Sequence, residues 1–230
     1  GFPMCPLAER IYLQTRKELD LIATFNALIP GYIPSLAEIL DINSKSQTSG
    51  MQAAFGKAMQ IKKEIFSKDS LKAVDIARRF DLKPDDLTFA LVFGENVLRD
   101  VVQKLDGNPY DNTNTVYGGF ADNLFINQHV ERIKATVSQE QIFSKYDRTA
   151  EIDKAVLVLH TMYDQLIPAR MAIVPYENRI QQKGNQEYFT VKYTNGQGHC
   201  NFTPEQTGKA FDALRNWVKT GVKAEAGYLE

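Results

Sequence analysis

Ala155-Val-Leu-Val-Leu-His-Thr-Met-Tyr-Asp164-Gln-Leu-Ile-Pro168 decides the fold. Lys154 to Thr161 is Val- and Leu-rich, continuously apolar and too short for a typical helix. That is the pattern of a strand buried on both faces, as in a parallel sheet. Pro168 to Lys183 reads as a helix closed by Gly184. Glu187 to Thr194 alternates, with Tyr188, Thr190 and Lys192 on one side and Phe189, Val191 and Tyr193 on the other, which predicts a second strand. Thr203-Pro-Glu-Gln206 has the form of a capping box with proline at the first helical position. The helix it opens carries Ala210, Phe211, Leu214, Trp217 and Val218 on one face and stops at Gly221. Strand, helix, strand, helix over 155–221 is the doubly wound α/β signature.

Upstream the pattern differs. Residues 1–6 form a short apolar stub, read as a strand end, so the strand expectations are 2–5, 154–161 and 187–194. From Leu7 to about Lys134 the periodicity is helical. Helices are expected over Glu18–Ile29, Met51–Phe66, Ser70–Phe80, Pro84–Leu105 and Phe120–Lys134, with a polar loop over Asn43–Gly50 and another over Gly107–Gly119. The expected division is 1–6, core strand; 7–150, helical region; 151–230, the rest of the α/β core.

The 230 residues are 43% hydrophobic with a formal net charge of −1, and nothing in that balance suggests nucleic acid or a membrane surface held by a polybasic patch. No apolar run approaches the roughly 20 residues a membrane span needs. With no initiator methionine, Gly1 reads as an internal position.

Two residues carry chemistry. Asp164 follows the buried strand, and ligand sites of open α/β sheets lie at the carboxyl ends of strands. On its own it better suits an aspartate in a tight turn, common after strands. His199 sits in Gly196-Gln-Gly-His-Cys200, between a strand and a capped helix, where glycines let the imidazole point back over the sheet. An acid past a strand, then a histidine in a glycine-rich loop, is the order of the last two members of a Ser-Asp-His triad. That order needs a nucleophile upstream on a G-x-S-x-G turn, and the chain contains none. Ser35, Ser44, Ser46, Ser49, Ser67, Ser70, Ser138 and Ser144 all lack a strand-turn-helix setting; Ser49-Gly50 follows no strand. Cys5 is rejected as a nucleophile because Pro6 blocks the helix that should come after it. His160 reads as a core or edge histidine and His129 as structural. Three histidines so scattered give no metal-ligand spacing. Gly94, inside a long helix, reads as a packing position.

His160-Thr-Met-Tyr-Asp-Gln-Leu-Ile-Pro168 and Gly198-His-Cys-Asn-Phe-Thr203 resemble the acid and histidine loops of bacterial α/β-hydrolase esterases that carry a large helical cap. Pro3-Met-Cys5 resembles that family's strand six. Leu19-Asp-Leu and Ile29-Pro-Gly-Tyr-Ile-Pro34 resemble the start of the cap, and Asn112–Gly118 with Asn127–Arg132 its return to the sheet. The resemblance implies the C-terminal part of an α/β-hydrolase fold, the last three strands of a mostly parallel sheet with an inserted cap over 7–150. It implies a serine esterase in which Asp164 orients His199 and His199 is the base. The serine, the oxyanion hole and five strands would lie N-terminal to Gly1, on the same precursor or a second chain. The substrate would be a small-molecule ester, with no cofactor and no metal. Phe55, Phe89, Phe93, Tyr110, Tyr117 and Phe120 would be chiefly cap core. The resemblance further places Cys5 and Cys200 at one edge of the sheet, where a disulfide would pin the histidine loop and favour an exported protein; two buried thiols are the alternative. A competing reading is a non-catalytic binding or structural protein built on a hydrolase remnant.

Overall fold

The computed structural model describes residues 1–44 and 51–230. Ser46, Ser49 and Gly50 of the expected polar loop lie outside the described residues. In chain order the helices are α1 (Ile11–Leu28), α2 (Leu36–Ile39), α3 (Met51–Lys68), α4 (Ser70–Arg79), α5 (Leu87–Leu105), α6 (Asn123–His129), α7 (Glu140–Tyr146), α8 (Ala169–Ala172), α9 (Val174–Gln182) and α10 (Pro204–Thr220). The strands are β1 (Val156–Tyr163), β2 (Phe189–Gln197) and β3 (Gly227–Tyr228). Among the described residues no helix is long and apolar enough to cross a membrane.

The chain forms two compact units, one of residues 1–14 with 146–230 and one of residues 15–145. The divisions therefore fall inside α1 and at the end of α7, where the sequence suggested 6/7 and 150/151.

The first unit is α/β. Its sheet has the order β1-β2-β3, all parallel. Residues 1–5 run beside the other edge of β1: the Leu157 and Leu159 amides donate to the Gly1 and Pro3 carbonyls at 3.0 and 3.1 Å, and the Cys5 amide donates to the Leu159 carbonyl at 2.9 Å. Successive β1 residues serve opposite faces, as strand geometry requires. Leu157 and Leu159 pack on Ala210, Leu214 and Trp217 of α10. Val158, with Phe189 and Val191 of β2, packs on Ala172 of α8, Tyr176 and Ile180 of α9, and Ile173 between the two helices. Helices on both faces explain why β1 is apolar from Val156 to Leu159. The capping box of α10 forms as the sequence predicts: Thr203 accepts from the Gln206 amide, the Gln206 side chain accepts from the Thr203 amide, and Gly221 ends the helix at φ 75°.

Two differences in this unit have local causes. The single helix expected over 168–183 is broken at Ile173. Pro175 has no amide hydrogen to continue the ladder, so a new helix starts around it. Gly227–Tyr228 adds a third strand too short to show alternation.

The second unit is helical. α5 is its central helix, with Leu87, Ala90, Leu91, Leu98, Val101, Val102 and Leu105 buried. Gly94 is a packing position: a Cβ there would lie 3.0–3.2 Å from the Glu18 side chain. Of the expected cap aromatics, Tyr110, Tyr117 and Phe120 are buried, whereas Phe55 is exposed and stacks edge-on against Phe89. The helix expected over 120–134 spans only Asn123–His129. Beyond it Val130 is extended and Glu131 caps α2, accepting from the Leu36 and Ala37 amides at 2.6 and 2.9 Å. That tertiary bond outweighs the weak helical preference of the segment.

Candidate active site

The site lies at the carboxyl ends of β1 and β2, within the α/β unit. Thr161 stands opposite Thr194, but Tyr163 stands opposite Gln197, so β2 carries one extra residue at this end. Such a bulge bends its strand and re-aims the residues beyond it. The ends are then tied: the Gly198 amide donates to the Tyr163 carbonyl at 2.9 Å, and the Thr161 hydroxyl to the Gly198 carbonyl at 3.0 Å. Gly196 makes the return possible, since a Cβ there would lie 2.2 Å from the Asn201 carbonyl oxygen. Gly198 adopts φ 111°, a conformation that favours glycine.

These constraints bring Asp164 and His199 together. Nδ1 of His199 lies 2.8 Å from Oδ2 of Asp164. The other carboxylate oxygen, Oδ1, accepts from the Leu166 and Ile167 amides at 2.9 and 2.8 Å. The Leu166 carbonyl in turn accepts from the Gln14 side chain at 2.9 Å. Asp164 has no exposed side-chain surface, while the His199 side chain is 35% exposed. Burial pushes the Asp164 carboxyl up, but the hydrogen bonds from His199 and the Ile167 amide, the electrostatic attraction of the His199 imidazole and the Leu166 amide outweigh it. The net result holds Asp164 below the ordinary carboxylate range, hence ionised. An ionised carboxylate only accepts, so His199 carries its proton on Nδ1 and leaves Nε2 as a base.

The remaining sequence candidates fall elsewhere. His160 is fully buried, and its Nδ1 donates to the Thr161 carbonyl at 2.8 Å. Its Nε2 is buried without a hydrogen-bond partner among the described residues. Burial pushes the His160 imidazole toward the neutral form. His129 is exposed, stacked on Phe125, with Nδ1 donating to the Phe125 carbonyl. The unit that holds Asp164 and His199 contains no serine in its sequence; every serine among the described residues belongs to the helical unit.

The disulfide expectation is corrected. Cys5 and Cys200 are free thiols. Their sulfurs lie within 4.8 Å of one another, with no covalent bond between them. Both residues sit in left-handed backbone, at φ 42° and 52°. Without the disulfide, export loses its support. Burial and the contact with Cys200 push the Cys5 thiol far up, and burial raises Cys200, so neither is a thiolate nucleophile at neutral pH.

One grouping was invisible in the linear spacing. A sulfur of Cys5, a sulfur of Cys200 and a ring nitrogen of His199 all lie within 4.8 Å of one another. Cys5, His160 and Asp164 form a second such group, entirely buried. No separation along the chain could have revealed either, because Cys5 reaches the others only through its pairing with β1.

Comparison with protein-family models, with curated proteins and with solved structures finds no match to this chain.

Proposed function

We propose that Asp164 and His199 are the acid and base of a serine hydrolase of the α/β-hydrolase type, an esterase cleaving carboxylic esters by acyl transfer. The observation that carries this reading is the 2.8 Å contact between His199 Nδ1 and an Asp164 whose other oxygen is held by two backbone amides. Two further features support it. The pair stands at the carboxyl ends of parallel strands, and the histidine is accessible while the acid is sealed away.

The roles come from the chemistry. Nε2 of His199 takes the proton of an attacking serine hydroxyl and returns it to the leaving alkoxide. Asp164 fixes the tautomer and stabilises the imidazolium formed in between. The serine comes from a segment outside this chain, of the same precursor or of a partner. The resemblance of the two loops to cap-bearing esterases supplies the substrate class.

The test is hydrolysis of p-nitrophenyl esters by the full-length protein. His199→Ala is expected to lower kcat by roughly 10³-fold or more, with a smaller change in KM. Equal rates in the variant and the parent would leave the non-catalytic reading in its place.

A further inference from the structure

We propose that Cys5, Cys200 and His199 form a binding site for a soft or borderline divalent cation, Zn²⁺ foremost, with two sulfur donors, one nitrogen donor and one open position. The three donor atoms already lie within 4.8 Å of one another. Tetrahedral zinc with bonds of about 2.3 Å to sulfur and about 2.0 Å to nitrogen needs donors roughly 3.5–3.8 Å apart, so closure draws the two sulfurs and the imidazole together by side-chain movement.

The surroundings are those of a ligand set. Asp164 engages Nδ1 of His199, so Nε2 is the nitrogen with a free lone pair. The result is the carboxylate–histidine–metal arrangement that orients and strengthens imidazole ligands. Both cysteines are held in left-handed backbone with their sulfurs within 4.8 Å of one another, so little ordering remains to be done. Cys200 and His199 are exposed, which gives the ion a way in.

The group of Cys5, His160 and Asp164 shares one ligand with this site but is fully buried. Its carboxylate is already committed to two amides and a histidine. The exposed triple is therefore the site.

On binding, the two thiols each lose a proton to solvent and the cation gains two thiolates and a neutral imidazole, for no net charge at the ligand set. No oxidant or reductant takes part. This inference stands on donor geometry and does not depend on the hydrolase reading. Where His199 also serves as a base, a metal on Nε2 and a proton on Nε2 exclude one another.

The experiment is titration of Co²⁺ into the full-length protein, kept reduced and free of oxygen, monitored by absorption. The expected result is a thiolate-to-cobalt charge-transfer band with the visible bands of tetrahedral cobalt, lost on adding Zn²⁺. Cys200→Ser is expected to weaken binding at least roughly tenfold and to lower the charge-transfer band, because one of two thiolates is gone. His199→Ala is expected to weaken binding while keeping the charge-transfer band. Cys200→Ser alters an exposed residue, His199→Ala removes a partner of the buried Asp164 so its folding is checked by circular dichroism, and neither readout uses activity. Absence of the band in the parent protein, or bands of equal strength in Cys200→Ser, would overturn the proposal. So would Cys5 and Cys200 found joined in a bond that reductant does not open.

Discussion

Asp164 is the residue whose surroundings leave it least freedom. Two amides hold one oxygen, an imidazole holds the other, and no side-chain surface reaches water. Asp164→Asn keeps the shape but presents an amide donor where His199 needs an acceptor. The histidine is then driven to the opposite tautomer, with its proton on the nitrogen that should act as base. Ester hydrolysis is expected to fall roughly 10³–10⁴-fold, while the melting temperature drops by no more than a few degrees, as steady-state rates and thermal unfolding together would show. At this scale the sequence was informative. A strand-end aspartate and a histidine among glycines could be read directly, because each sits in a segment whose local pattern names its position. The proximity of Cys5 to Cys200 was anticipated only through a resemblance, and its chemistry differs: two free thiols in place of a disulfide.

At the scale of elements, the placing of His199 depends on the bulged end of β2 and on Gly196. Gly196→Ala puts a methyl group 2.2 Å from the Asn201 carbonyl, a distance that forces the loop to move. It is expected to cost about 1–3 kcal/mol and to lower activity by at least roughly tenfold, measured by urea unfolding and by hydrolysis rates. Thr203→Ala removes only the cap of α10 and is expected to cost about 1 kcal/mol with activity largely retained. The contrast separates loop geometry from general destabilisation. β1, β2 and α10 were legible because periodicity and capping chemistry are local. The break at Ile173 could have been found from Pro175, which a continuous apolar face disguised. The bulge could not, since register is a property of two strands. The short α6 owes its end to Glu131 capping a distant helix, which no local window contains.

At the scale of the whole molecule, the α/β class was legible because both faces of β1 are covered, leaving an apolar run from Ala155 to Leu159. The unit boundaries were less so, because α1 crosses one of them without any change in composition. The helical unit has its own polar centre. The buried Tyr117 hydroxyl donates to Asp20 at 3.0 Å and accepts from Asn112 at 3.1 Å, and Asp20 is paired with Arg16. Burial and the Asp20 charge raise the Tyr117 phenol from 10.0 to about 12. Below the unfolded value both states hold the neutral phenol and the stability is complete. As pH climbs toward the folded value only the unfolded chain ionises, so stability is lost by about 2–3 kcal/mol in all. Urea unfolding of the helical unit between about pH 9 and pH 11 should therefore show a steeper decline in the parent protein than in Tyr117→Phe.

The central claim, that His199 held by Asp164 activates a serine supplied from outside this chain, is tested most directly by labelling the full-length protein with a fluorophosphonate and locating the adduct by mass spectrometry. The account predicts one modified serine outside these 230 residues, with labelling abolished in His199→Ala. No adduct in the folded parent protein, or an adduct formed equally fast in His199→Ala, would contradict it.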